Sequence, residues 1–121
     1  MIITSGANFP GAKAGSVKIA DVEYSWNANH EDVSKARAAD AQLNTGTPKD
    51  SYNNTNHGTA VIGVLSADDN GHGVRGIAPD ASLRLANASS VEYGWNVANA
   101  VYLSAANLNA GDVILDRKSV V

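Results

Sequence analysis

Short apolar segments alternate with longer ones along the chain. The first short segment, residues 17–22, is mostly non-polar on both faces, as expected of a parallel strand covered on each side. Further strands are predicted at 83–86 and from 112 to 115. The longer segments, 58–65 and 92–108, carry apolar residues at helical spacing and predict helices. The order strand, helix, strand, helix, strand predicts an α/β fold with a right-handed, doubly wound parallel sheet.

Turn-forming residues mark the connections. Residues 1–16 are read as an irregular lead-in, and 45–56 as a surface loop rich in Gly, Pro, Asn, Asp and Ser. Helix 58–65 is apolar almost all round, so burial on every side is expected. In helix 92–108, Trp95 and Tyr102 are expected to face the core.

Composition restricts the class of protein. Of the 121 residues 44% are hydrophobic, which excludes a chain disordered throughout. Nine Lys and Arg against twelve Asp and Glu give a net charge of −3, so no basic stripe for nucleic acid is expected. The absence of cysteine excludes disulfides, a thiolate nucleophile and Cys-ligated zinc. The sequence shows neither a signal peptide nor an apolar run of membrane-spanning length, so no membrane partner is expected and the chain itself does not indicate a compartment.

A carboxylate and an imidazole are predicted to meet at one edge of the sheet. Asp21 lies near the end of the first strand, and His57 precedes the first helix. Ligands collect at the carboxyl ends of parallel strands, where a carboxylate can orient a histidine as a general base. The alternative is a histidine at a helix start and an unrelated surface aspartate.

Three segments resemble the subtilisin-like serine peptidases (subtilases). They are NHGTAVIGV at 56–64, DDNGHGVRGIAPDASL at 68–83 and VKIADVEYSWNANHEDV at 17–33, and the resemblance extends from about Val17 to Leu115. It implies the amino-terminal part of a single subtilase catalytic domain, incomplete in this chain, with Asp21 orienting His57. One departure is that Asp21 is followed by Val22 and Glu23, where the family commonly has Thr-Gly or Ser-Gly.

The resemblance implies a serine-type endopeptidase that hydrolyses polypeptides through an Asp, His and Ser triad. The chain contains no Gly-Thr-Ser segment for the nucleophile and no segment for the oxyanion asparagine, so it is expected to be inactive alone. The alternative is an inactive fragment or pseudopeptidase that serves as a scaffold or interaction module. Secretion is a further implication of the family. Residues 116–121 form a doubtful tail, because three consecutive charges suit a buried strand poorly.

A structural calcium site is a second expectation, whereas no cofactor is expected for catalysis. Asp68, Asp69 and Asn70 form an acidic loop with glycines, which suits a hard cation. The resemblance implies that Asp32 and Asn70 supply side-chain ligands. The alternative is a solvated helix end. A zinc site made by His57 with His30 and His72 is disfavoured by their spacing.

Overall fold

The computed structural model describes residues 11–116. A short 3-10 helix at Ser34–Arg37 follows the first strand. The remaining elements, in chain order, are β1 (Lys18–Glu23), α1 (Thr55–Ser66), β2 (Ser82–Asn87), β3 (Ser89–Ser90), β4 (Gly94–Trp95), α2 (Val97–Ala106) and β5 (Val113–Asp116).

The central element is a three-stranded parallel sheet in the order β2-β1-β5. In its register Asp21 lies beside Leu85 on one side and Leu115 on the other, and Glu23 lies beside Asn87. β3 and β4 form a separate antiparallel hairpin. The α/β prediction and its parallel sheet are confirmed.

The two helices cover opposite faces of the sheet. One core cluster joins Ile62 of α1 to Ile19, Leu83 and Leu85, and the other joins Ala100 of α2 to strand residues of the opposite face. Because side chains alternate along a strand, residues 19, 21 and 23 all belong to the face of α1. The carboxylates of β1 therefore share a face with the helix that carries His57.

Helix α2 is shorter than the sequence predicted. It begins at Val97, because Asn96 caps it by accepting from the backbone N–H of Asn99 at 3.0 Å. Trp95 belongs to β4 and is 51% exposed, while Tyr102 is 70% exposed. The prediction that these two rings face the core is therefore wrong. The buried positions of α2 are Ala100 and Ser104, whose small side chains allow close packing.

Burial around α1 also differs from the expectation. Val61 and Ile62 are buried, but Val64 is 62% exposed, so the helix packs through one face only. At the start of the predicted surface loop, Thr45 is buried because its hydroxyl contacts Asn87 at the end of β2.

The predicted tail overlaps the last strand. Asp116 is the final residue of β5, pairs in register with Val22 and is exposed, which explains why its charge is tolerated there. Residues 117–121, and residues 1–10 of the predicted lead-in, lie outside the described residues. Within residues 11–116 no helix is long and apolar enough to cross a membrane.

Candidate active site

His57 lies in the first turn of α1, close to the end of β1. Its side chain is 47% exposed, and its Nδ1 is 3.1 Å from Oε1 of Glu23. Glu23 is fully buried. With Nδ1 against a buried carboxylate, the imidazole can offer Nε2 as a base toward solvent.

Two buried carboxylates of β1 lie near His57 and Trp26. The sequence predicted Asp21 as the carboxylate that orients His57, and the structure also places Glu23 Oε1 within 3.1 Å of Nδ1 of the ring. Asp21 is also fully buried, and its Oδ2 accepts a hydrogen bond from Trp26 Nε1 at 2.8 Å. Glu23 is the last residue of β1, whereas Asp21 lies two residues, about 6.6 Å, further into the sheet. Position at the strand end and a longer side chain thus bring Glu23 to the helix.

The N-terminus of α1 is fastened to the end of β1 by Asp50. Its carboxylate accepts from the hydroxyl of Ser25 at 2.9 Å and from that of Thr55 at 3.1 Å. Burial raises the pKa of Asp50, but these hydrogen bonds and those from the Asn54 and Tyr52 backbones outweigh it and lower the pKa below its ordinary value. Asn54, at the N-cap position, makes no side-chain cap bond. Asp50 therefore connects Thr55, the first residue of α1, to the segment after β1.

Gly58 is needed for close approach. A Cβ at this position would lie 2.2 Å from the backbone oxygen of Ser25 and 3.2 Å from the indole of Trp26. The glycine next to His57 thus allows the helix to rest directly on the segment after β1. Thr59 adds a further link, since its hydroxyl accepts from the backbone N–H of Asn27 at 2.8 Å.

An aromatic row lies beside this junction. The ring of Tyr24, the residue after Glu23, is 5.3 Å from the ring of Tyr52 and 5.4 Å from that of Trp95. Burial raises the pKa of Tyr24, and the nearby Tyr52, Asp50 and Glu23 raise it further, so its hydroxyl stays neutral at physiological pH. Both outer rings are largely exposed.

Asp32 and the loop that contains Asn70 are brought together. The Oδ2 of Asp32 accepts from the backbone N–H of Val74 at 3.1 Å, and the backbone oxygen of Asp32 accepts from the N–H of Asp68 at 2.7 Å. Asp32 is 4% exposed, and its Oδ1 is buried without a hydrogen-bond partner among the described residues. A Cβ on Gly73, whose φ is +63°, would lie against that oxygen.

The other acids of this loop already have cationic partners. Asp68 Oδ1 is 2.9 Å from Lys35 Nζ, and Asp69 is 2.9 Å from Lys13 and 3.5 Å from Arg75. Asn70 is exposed and its Oδ1 accepts from the N–H of His72 at 3.3 Å. The buried Oδ1 of Asp32 differs from these oxygens in having no hydrogen-bond partner among the described residues.

The other histidines do not gather around His57. His30 Nδ1 accepts from the backbone N–H of Asp32 at 3.2 Å, and His72 lies in the loop after α1. In the part of the chain that the structure describes, no group of three or more His, Cys, Asp or Glu residues is placed to hold a metal ion.

The chain is similar in sequence to several bacterial proteases. No protein-family model matches it. The minor extracellular protease Epr of Bacillus subtilis is 37% identical over 73 residues, which cover 60% of this chain and 11% of that protein. The intracellular serine protease of Paenibacillus polymyxa is 29% identical over 109 residues, which cover 84% of this chain and 33% of that protein. The major intracellular serine protease of Bacillus subtilis is 29% identical over 87 residues, which cover 69% of this chain and 27% of that protein.

A solved structure has the same fold. The crystal structure of a psychrophilic subtilisin-like protease from Pseudoalteromonas sp. AS-11 matches 96% of this chain and 30% of its own, with a TM-score of 0.59 and 22% identity. The chain is a relative of the subtilisin-like serine proteases. It corresponds to their N-terminal part and spans about a third or less of the curated relatives' length.

The subtilisin-like relatives come from both sides of the cell envelope. One is named as extracellular and two as intracellular. The family thus contains both kinds of protease, and secretion of this chain stays a prediction.

The sequence reasoning did not single out two residues at the junction of β1 and α1, Glu23 and Asp50. Glu23 could have been found, because strand alternation places it on the same face as Asp21 and nearer the strand end. Asp50 gives no such signal, because its role depends on a loop that folds back onto Ser25.

Proposed function

We propose that this chain is the N-terminal part of a serine-type endopeptidase that cleaves polypeptides. The observation that carries the proposal is the pairing of His57 Nδ1 with a buried carboxylate of β1, at a helix start that leaves the rest of the ring accessible. The homology to serine proteases supports the same class. A histidine held in this way can serve as a general base for a nucleophilic hydroxyl.

In the proposed reaction His57 takes the proton of a serine hydroxyl through Nε2 as the oxygen attacks the peptide carbonyl. The same nitrogen then gives that proton to the leaving amine, and the second half-reaction repeats the exchange with water. The chain itself contributes the base, its carboxylate support and the adjoining loops. The serine and the oxyanion donors would come from segments that have no match within these 121 residues.

Two proteins test the proposal: the 121-residue chain and the full-length product of the gene that encodes it. We expect the full-length protein to be labelled by a fluorophosphonate probe and to hydrolyse casein, and both properties to be lost in His57→Ala. His72→Ala, at an exposed histidine, is the matched control and should behave as wild type. The isolated chain should show no turnover, because a base without a nucleophile and oxyanion donors has no acyl transfer to assist.

Two outcomes would contradict this proposal. Turnover by the isolated chain that His57→Ala abolishes would show that the chain supplies its own nucleophile. A folded full-length protein that neither takes the probe nor cleaves casein would favour the scaffold alternative.

We also propose that Asp32 and Asn70 contribute side-chain oxygens to a structural calcium ion. The buried Oδ1 of Asp32 and the close approach at Gly73 support this assignment. Calcium would neutralise the buried carboxylate and join the segment after β1 to the loop after α1. No cofactor is proposed for the chemistry.

A further inference from the structure

We propose that Trp26 is a positioning residue, whose indole fixes the carboxylate of Asp21 beside the helix that carries His57. The inference rests on the proposed function for its kinetic consequence, because Asp21 is the carboxylate predicted to orient His57. Its structural content, a hydrogen bond between an indole and a buried carboxylate, concerns the described chain alone.

The first support is the contact between the two side chains. Nε1 of Trp26 donates a hydrogen bond of 2.8 Å to Oδ2 of Asp21. Asp21 is fully buried in the central strand of the sheet, and Trp26 is partly buried and packs against the core cluster of the α1 face. A hydrogen bond to a carboxylate is strong in such surroundings, so the indole restricts how the carboxylate can turn.

The second support is the contact of the same indole with helix α1. A Cβ on Gly58, the residue after His57, would lie 3.2 Å from Cδ1 and 3.3 Å from Nε1 of Trp26. The nitrogen that donates to Asp21 is therefore also close to the first turn of the helix. One ring thus sets the spacing between the carboxylate and the turn that carries the proposed base.

The third support is the anchoring of the backbone that carries the indole. Both sequence neighbours of Trp26 are bonded to α1. The hydroxyl of Ser25 is 2.7 Å from that of Thr55, the first residue of the helix, and the backbone N–H of Asn27 donates to the hydroxyl of Thr59 at 2.8 Å. The indole therefore projects from a segment held against the same helix on both sides, as positioning requires.

The structural test is nuclear magnetic resonance on the 15N-labelled chain, whose two tryptophans give two indole Nε1–H resonances. The variants Trp26→Phe and Trp95→Phe assign them. We expect the Trp26 proton to exchange with solvent more slowly than that of Trp95, which is 51% exposed. Asp21→Asn should shift the Trp26 resonance upfield, because a neutral acceptor forms a weaker hydrogen bond. Asp32→Asn, at another buried carboxylate, should not shift it.

The indole resonances can contradict the contact directly. A Trp26 proton that exchanges as fast as that of Trp95, or a resonance that does not move in Asp21→Asn, would overturn the inference. The amide spectrum of each variant checks that the fold is retained. If Asp21→Asn does not fold, the comparison of the two indole protons in the wild type decides, since it leaves the carboxylate unchanged.

The kinetic test is a double-mutant cycle in the full-length protein. Trp26→Phe keeps an aromatic ring but removes the donor. It should lower kcat by about 10- to 100-fold with little change in KM, the range expected for one hydrogen bond to a charged group. In the Asp21→Asn background the same substitution should lower kcat by less than about threefold, because the acceptor is already neutral. Equal factors in the two backgrounds would show that Trp26 is merely structural and would overturn its positioning role.

Trp95→Phe is the matched kinetic control, because it makes the same substitution at the other tryptophan and should leave kcat unchanged. The structural and kinetic parts can fail separately. If the indole resonances behave as expected but the full-length wild type neither takes the fluorophosphonate probe nor cleaves casein, the proposed function fails while the contact between Trp26 and Asp21 stands.

Discussion

At the scale of single residues, the site depends on a close approach that only glycine permits. Helix α1 rests on the segment after β1 at Gly58, where the space left for a side chain is filled by the backbone oxygen of Ser25. Gly63, one and a half turns later in the same helix, would meet no heavy atom within 4 Å if it carried a Cβ. The two glycines thus have opposite roles in one element.

Replacement of these glycines by alanine gives opposite predicted effects. Gly58→Ala should lower the free energy of unfolding by about 1–3 kcal/mol, because the new methyl group overlaps backbone that cannot move cheaply. Gly63→Ala should raise it by about 0.5–1 kcal/mol, because alanine is the better helix former at an open position. Urea unfolding followed by circular dichroism measures both. Equal effects of the two substitutions would contradict the contact at Gly58.

At the scale of elements, the start of α1 is set by tertiary contacts rather than by its own cap. Asp50 lies in the loop before the helix and joins Ser25 to Thr55. Its lowered pKa means that the folded state favours the ionised carboxylate. By linkage, a group whose pKa is lower in the folded state stabilises the fold above its unfolded pKa, and this contribution disappears as pH falls through the folded value.

The stability of the α1 junction should therefore depend on pH through Asp50. Above pH 5, Asp50→Asn should lower the free energy of unfolding by about 1.5–3 kcal/mol, the usual range for hydrogen bonds to a charged group. The difference from wild type should shrink below about pH 4, as the wild-type carboxyl is itself protonated. Denaturant titrations at a series of pH values measure it, with Asp80→Asn as a control for the loss of one exposed charge. A difference that is constant down to pH 3 would contradict the role of the ionised carboxylate.

The elements differ in how far their sequence determines them. β1 and β2 were predictable, because their apolar runs reflect burial on both faces. The start of α2 was not predictable, because Trp95 and its neighbours fit a helical spacing although they belong to the hairpin of β3 and β4. Asp21 as the carboxylate that orients His57 stays a prediction, whereas the proximity of Glu23 to the ring was not foreseen, because it depends on how far β1 extends toward the helix.

At the scale of the whole molecule, the two proposed sites lie at opposite ends of helix α1. The end of β1 meets the start of α1 at His57, and the segment that contains Asp32 meets the loop after α1. The core beneath them is formed by Ile62 with Ile19, Leu83 and Leu85. A cation at the second junction would therefore stabilise the same helix whose first turn carries the proposed base.

Calcium should accordingly stabilise the molecule without taking part in the chemistry. A ligand that binds only the folded state stabilises it by about 2.7 kcal/mol at a free concentration one hundred times its Kd, so Tm should rise with calcium and fall again with chelator. The rise should shrink in Asp32→Asn and in Asn70→Ala. It should persist in Asp69→Asn, a matched control from the same loop whose carboxylate pairs with Lys13. An equal rise in all four proteins, or the same rise with magnesium, would show that a general ionic effect replaces a site at Asp32, and the loop would then be a solvated helix end.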